Sequence, residues 1–91
     1  MGVNIKAYMN VRLHPHAQAR LNERGATEAE VIATVEHGVT FAAQSGRTGF
    51  RCNFPFNAEW NGKFYITKKV EAIAVQEKEY WLVITVIVKY F

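Results

Sequence analysis

Aspartate is missing altogether: all eight acidic side chains are Glu. Without it no Ser–His–Asp triad can form. A two-metal nuclease, which gathers carboxylates around its ions, is disfavoured as well. Cysteine occurs once, as Cys52. A disulfide scaffold is therefore excluded, and the lack of disulfides suits a reducing compartment, so a cytoplasmic protein is expected. No C-x-x-C pair and no two-histidine helix motif with a carboxylate is present. His14, His16, His37 and Cys52 do not follow a zinc pattern, and neither a metal nor a cofactor is expected. No apolar run approaches the ~18 residues that read as a membrane span. Met1 to Asn10 carries no apolar stretch of the secretory kind, so no signal sequence is expected. The phosphate-cradling G-x-x-x-x-G-K-[ST] loop is absent, and Ser45 lies outside any nucleophile elbow.

What remains is apolar and basic. Aliphatic and aromatic residues make up 49% of the 91, enough to fill one core and to exclude disorder. The chain reads as a single domain over 1–91, too short for a Rossmann nucleotide unit. Its formal net charge of +3 is unevenly spread. Glu28, Glu30 and Glu36 fall between Thr27 and His37 with no Lys or Arg among them, leaving 11 basic and 5 acidic residues elsewhere. A basic surface of this kind suits a polyanion partner; it is also compatible with ordinary solubilising charge.

Two helices are expected first. His14-Pro15 opens one, because proline at the first helical position gives up an N–H that has no partner there. It runs to Arg24, and Gly25 closes it in a left-handed cap. Thr27 and Glu30 form a capping box for the second, whose buried stripe is Val31, Ile32 and Val35 and whose end is Gly38. Strands follow. Val39 to Gln44 is short, and Ser45 to Gly49 turns the chain. Phe50 to Phe54 is stopped by Pro55. Asn61-Gly62 signals a hairpin. Phe64 to Val75 is long, with a bulge expected near Lys68-Lys69, where the alternation slips. Trp81 to Val88 is almost wholly apolar and reads as a central strand. Residues 1–12 suggest an extra edge strand or arm, with weak alternation over Val3 to Val11. Helices followed by strands indicate α+β, two helices on one face of a roughly four-stranded antiparallel sheet.

His16, Arg20 and Arg24 recur at spacing four, which places them in one stripe along the border of the buried face. A proton-transfer group and phosphate-binding cations act most strongly in such half-dry surroundings. The same spacing also suits arginines paired with Glu23 and a boundary histidine. Thr85 is the one polar residue between Trp81 and Val88. Strand parity groups it with Trp81, Val83 and Ile87, so it opens onto the sheet face away from the helices if those cover the other. Arg47, Arg51, Lys68 and Lys69, interleaved with aromatic residues, match the mixture that holds single-stranded RNA, cations on phosphates and rings on bases.

The run His16-Ala17-Gln18-Ala19-Arg20-Leu21-Asn22-Glu23-Arg24-Gly25 and the later Ile84-Thr85-Val86 resemble a bacterial domain-of-unknown-function family. That family carries H-A-x-x-R-x-x-x-R-G near its start and I-T-V in its last strand. It is grouped with RelE-like toxins in the barnase–EndoU–colicin–RelE superfamily of metal-independent nucleases. The resemblance covers roughly His16 to the end. Phe54 to Lys69 is longer than the family's usual hairpin, and Met1 to Leu13 has no counterpart. It implies a RelE/barnase-like fold with His16, Arg20, Arg24 and Thr85 as catalytic candidates. It further implies an endoribonuclease toxin attacking RNA, free or ribosome-associated, through its own 2′-hydroxyl, and neutralised by a cognate antitoxin protein. The other reading is a non-catalytic module on the same fold that holds RNA or a protein, or pairs as a homodimer.

Overall fold

The computed structural model describes residues 10–91. Strand β1 (Asn10–Leu13) leads into three short helices, α1 (Pro15–Ala19), α2 (Leu21–Arg24) and α3 (Glu28–His37). Four strands follow: β2 (Val39–Ala42), β3 (Thr48–Trp60), β4 (Lys63–Gln76) and β5 (Tyr80–Tyr90), with a 3-10 turn, Gln44–Gly46, before β3. The fold is α+β, but the sheet is five-stranded and mixed, in the order β1-β5-β4-β3-β2. The expected four-stranded antiparallel sheet gains β1, which pairs parallel to β5 from Asn10 opposite Tyr80 to Leu13 opposite Val83. The remainder of the Val3–Val11 stretch lies outside the described residues.

The helix signals act where they stand in the chain. His14 caps α1, its Nδ1 accepting from the His16 N–H at 3.1 Å, with Pro15 in the first turn. The single helix expected from Pro15 to Arg24 is instead two, because Arg20 relaxes to φ −98°, ψ −3° and its N–H bonds three residues back to Ala17. Gly25 ends α2 at φ 77° in the left-handed region. In α3 the capping box is complete: Thr27 Oγ1 accepts from the Glu30 N–H, and the Glu30 carboxylate accepts from the Thr27 N–H.

The core lies between α3 and one face of the sheet. Val31 and Val35 pack with Phe50, Val70, Ala72, Ala74, Val83 and Val86, all at most 1% exposed. Phe50 meets Trp81 edge to face at 5.0 Å. Ile32, expected in the same stripe, is half-buried.

Two irregularities set the faces of the strands. Pro55 does not end its strand; β3 continues to Trp60, and the register with β4 shifts between Pro55 and Ala58, where Asn57 takes φ 47°. A bulge of this sort accommodates a residue with no N–H to contribute. The Asn61-Gly62 turn then closes the hairpin with both residues at positive φ, 51° and 84°. The other shift is in β5. Ala74 faces Val83 and Ile73 faces Thr85, so Ile84 has no opposite number. This extra residue reverses the expected parity. Trp81 and Val83 point to the helices, and so do Val86 and Val88 beyond the bulge, while Thr85 and Ile87 share the helix-free face with Ile73 and Glu71.

Candidate functional site

β1 covers only the first part of β5. Beyond Val83 the edge of β5 has no strand partner among the described residues. The chain leaves β1 at His14, whose N–H donates to the Val83 carbonyl at 2.8 Å, and α1 and α2 run beside the open edge. There the Arg24 guanidinium donates to the carbonyl of Val86. A planar cation with five N–H groups can hold this carbonyl and still present donors elsewhere.

The helix stripe and the strand hydroxyl meet at this edge. His16, Arg20, Arg24 and Thr85 line one depression of about 190 Å³, with Ala17 and Ile84 between them. Ala17 and Leu21, the apolar neighbours of the stripe, are buried and hold the helices down. The cations are not locked away. Arg20 reaches Glu23 at 3.8 Å, with the two side chains 48% and 64% exposed; such a pair contributes at most about 0.5 kcal/mol and opens readily to an anion. His16 is exposed and its ring has no partner among the described residues.

A second depression, of about 450 Å³, adjoins the first and shares Arg24 and Thr85 with it. Glu23 stands on its polar side, and Trp60, Ile87 and Tyr90 supply apolar walls. Trp60 arrives there from the tip of the β3–β4 hairpin and stacks on Tyr90 at 5.1 Å and 17°. The Tyr90 hydroxyl donates to the Arg24 carbonyl at 3.1 Å, tying β5 to the end of α2. Burial pushes the Tyr90 phenol above its ordinary pKa, and the negative charge of Glu30 adds to the rise. Tyr90 is thereby a settled hydrogen-bond donor. Trp60 stands in sequence only as one aromatic residue among many; its position before an Asn-Gly turn is the signal that marks it as a hairpin tip.

The basic residues of the strands divide between the two faces. Lys68 and Lys69 are consecutive in an unbulged stretch of β4, so they point oppositely. Lys68 faces the helices and is 7% exposed. Its ammonium bonds to the Glu30 carboxylate at 2.8 Å and to the Gly25 carbonyl at 2.9 Å. The alternation that slips here in sequence does so because a lysine occupies a core position, and no bulge is involved. Lys69 lies on the helix-free face, 3.7 Å from Glu71. Arg51 is exposed and sits 5.2 Å over the Phe41 ring. Arg47, exposed after the 3-10 turn, borders a hollow of about 310 Å³ with Ile73 and Ile87. Arg47, Arg51 and Lys69 thus share the face onto which Thr85 opens, and Lys68 does not.

Among the described residues no group of three His, Cys or Glu side chains comes together as a metal cluster would, and no helix is long and apolar enough to cross a membrane. No protein-family model, curated protein or solved structure matches the chain.

Proposed function

We propose that the protein is a metal-independent endoribonuclease of the RelE-like toxin kind. The observation that carries this reading is the convergence of His16, Arg20, Arg24 and Thr85 on one depression at the open edge of β5. RNA brings its own nucleophile. The 2′-hydroxyl loses its proton and attacks phosphorus, a 2′,3′-cyclic phosphate forms, and the 5′-oxygen leaves with a proton. His16 transfers one of these protons, imidazole being the side chain best suited to acid–base work near neutral pH. Glu23, on the adjoining depression, is the complementary group. Arg20 and Arg24 hold the phosphate and favour its growing charge, and Thr85 donates to a phosphate oxygen. Arg47, Arg51 and Lys69 carry the flanking strand along the helix-free face. A toxin of this kind requires a neutralising antitoxin, for which a small acidic protein fits the basic edge.

The test is cleavage of single-stranded RNA in excess EDTA by the wild type, His16→Ala and Arg20→Ala. Loss of about a hundredfold or more in His16→Ala is expected for a missing acid–base group. Equal cleavage by all three proteins, or none by the wild type, overturns the assignment; RNA binding without products would favour the non-catalytic module.

A further inference from the structure

The tip of the long β3–β4 hairpin is built into the site. Register shift at Pro55–Ala58 and the Asn61-Gly62 turn carry Trp60 to the end of α2. Its approach is tight. A Cβ on Gly25 would stand 2.9 Å from the Trp60 ring and 2.1 Å from the Tyr90 hydroxyl, so the bare glycine is what lets these rings close against the helix. Phe56 and Tyr65 pack on Tyr90 at 5.1 and 5.5 Å and hold the stack from the hairpin side. The resulting wall bounds a depression whose 450 Å³ falls within the range of small-ligand pockets, about 300–1,000 Å³. One end opens onto Arg24 and Thr85, the residues it shares with the His16 depression.

A ring-walled hollow with Glu23 on its polar side, one step from a cationic phosphate position, matches the repeat of a single-stranded nucleic acid, in which each phosphate is followed by a flat base with polar edges. Resting on the RNA reading above, we propose that the Trp60–Tyr90 hollow is a nucleobase subsite. It takes the unpaired base adjoining the phosphate at Arg20 and Arg24, seated between the aromatic wall and Ile87. The subsite is a positioning device. By fixing one base it sets the rotation of the strand and so which 2′-hydroxyl faces His16. The long hairpin would thus give this chain a hold on RNA that its helix stripe alone lacks.

The experiment uses the full chain and two probes that cannot be cleaved through a 2′-hydroxyl. One is a short single-stranded 2′-O-methyl RNA; the other is the same length with its central bases removed, so the phosphates are equal in number. Affinities are measured by fluorescence anisotropy at fixed salt. The wild type is expected to bind the intact probe at least about tenfold more tightly than the abasic one, the effect of one stacked base. Trp60→Leu should lose most of that ratio while holding the abasic probe as before, and Trp60→Phe, which keeps a ring, should retain part of it. Equal binding of both probes by the wild type overturns the subsite, whether or not any variant folds; so does an unchanged ratio in Trp60→Leu. Base-dependent binding by a protein that cleaves nothing would sink the ribonuclease reading and leave the subsite standing. Cleavage without base dependence would do the reverse.

Discussion

Arg24 and Val86 stand 62 residues apart in the chain, and the guanidinium of the first donates to the backbone carbonyl of the second. The contact occupies the edge of β5 where β1 has already ended. It fastens α2 to the sheet and holds Arg24 between the two depressions. Arg24→Ala leaves that half-buried carbonyl without its donor and is expected to cost about 1–2 kcal/mol of stability. Arg24→Lys, which keeps a cation but not the planar fork, should cost less. Urea denaturation of the two variants checks the order.

Lys68 is a structural cation. Lys68→Met leaves the Glu30 carboxylate with only the Thr27 N–H, and the Gly25 carbonyl without its lysine donor, on the helix side of the sheet. A loss of about 2 kcal/mol is expected, because a largely buried carboxylate remains without its cation. The slope of log affinity against log salt for RNA should not change. Lys69→Ala should reduce that slope by about one with little effect on stability. If Lys68→Met lowered the slope, Lys68 would touch phosphate after all.

Gly25 and Gly62 both take positive φ, but only Gly25 has neighbours where a methyl would go. Gly62→Ala should cost about 1 kcal/mol, the left-handed backbone penalty alone. Gly25→Ala should cost distinctly more, because its Cβ would overlap the Tyr90 hydroxyl. It should also weaken the Trp60–Tyr90 stack, read as a change in near-ultraviolet circular dichroism. Equal losses in the two variants would contradict the close approach.

Tyr90 makes stability depend on alkaline pH. Its folded pKa lies above the unfolded value, so between the two the folded state binds the extra proton. Stability then falls as pH rises through that window, above the ordinary tyrosine value of about 10. Below it the contribution is complete. Denaturation of wild type and Tyr90→Phe should show stability curves that converge as pH rises past that window, with the wild type losing more. Parallel curves would remove Tyr90 as the cause.

Thr27→Ala removes one half of the α3 capping box and should cost about 1 kcal/mol by thermal or urea unfolding. Helix α3 carries Val31 and Val35 into the core, so the loss should be felt by the whole fold and not by local fraying. Hydrogen exchange of the α3 amides reports which of the two occurs.

The elements legible in the chain are those whose signals close within a few residues. Pro15, Gly25, the Thr27–Glu30 box and Asn61-Gly62 each satisfy or release backbone groups locally, and each stands where the local chemistry demands. The near-continuous apolar run of β5 marks a strand that is interior only from Tyr80 to Val83, where β1 and β4 flank it; beyond Val83 it is an edge among the described residues. The stripe His16, Arg20, Arg24 is equally local, and it survives the break at Arg20 because a single loosened residue shifts the spacing too little to scatter it.

What the chain alone could not reveal depends on partners far away in it. The parallel pairing of β1 with β5 joins residues some seventy positions apart, and nothing near Asn10 names Tyr80. Proline inside β3 is tolerated because the register with β4 gives way beside it. Lys68 enters the core because Glu30 and the Gly25 carbonyl wait there. The unopposed Ile84 puts Thr85 on the face opposite Val83, where strict alternation would have kept the two together. Composition and local spacing thus determined the helix ends, the turn, the apolar strand and the basic stripe, since each is a matter of backbone satisfaction and periodicity over one or two turns. Only tertiary pairing decided which face the hydroxyl takes, which lysine is free and which ring reaches the arginine, since a strand's faces are set by register against its neighbours.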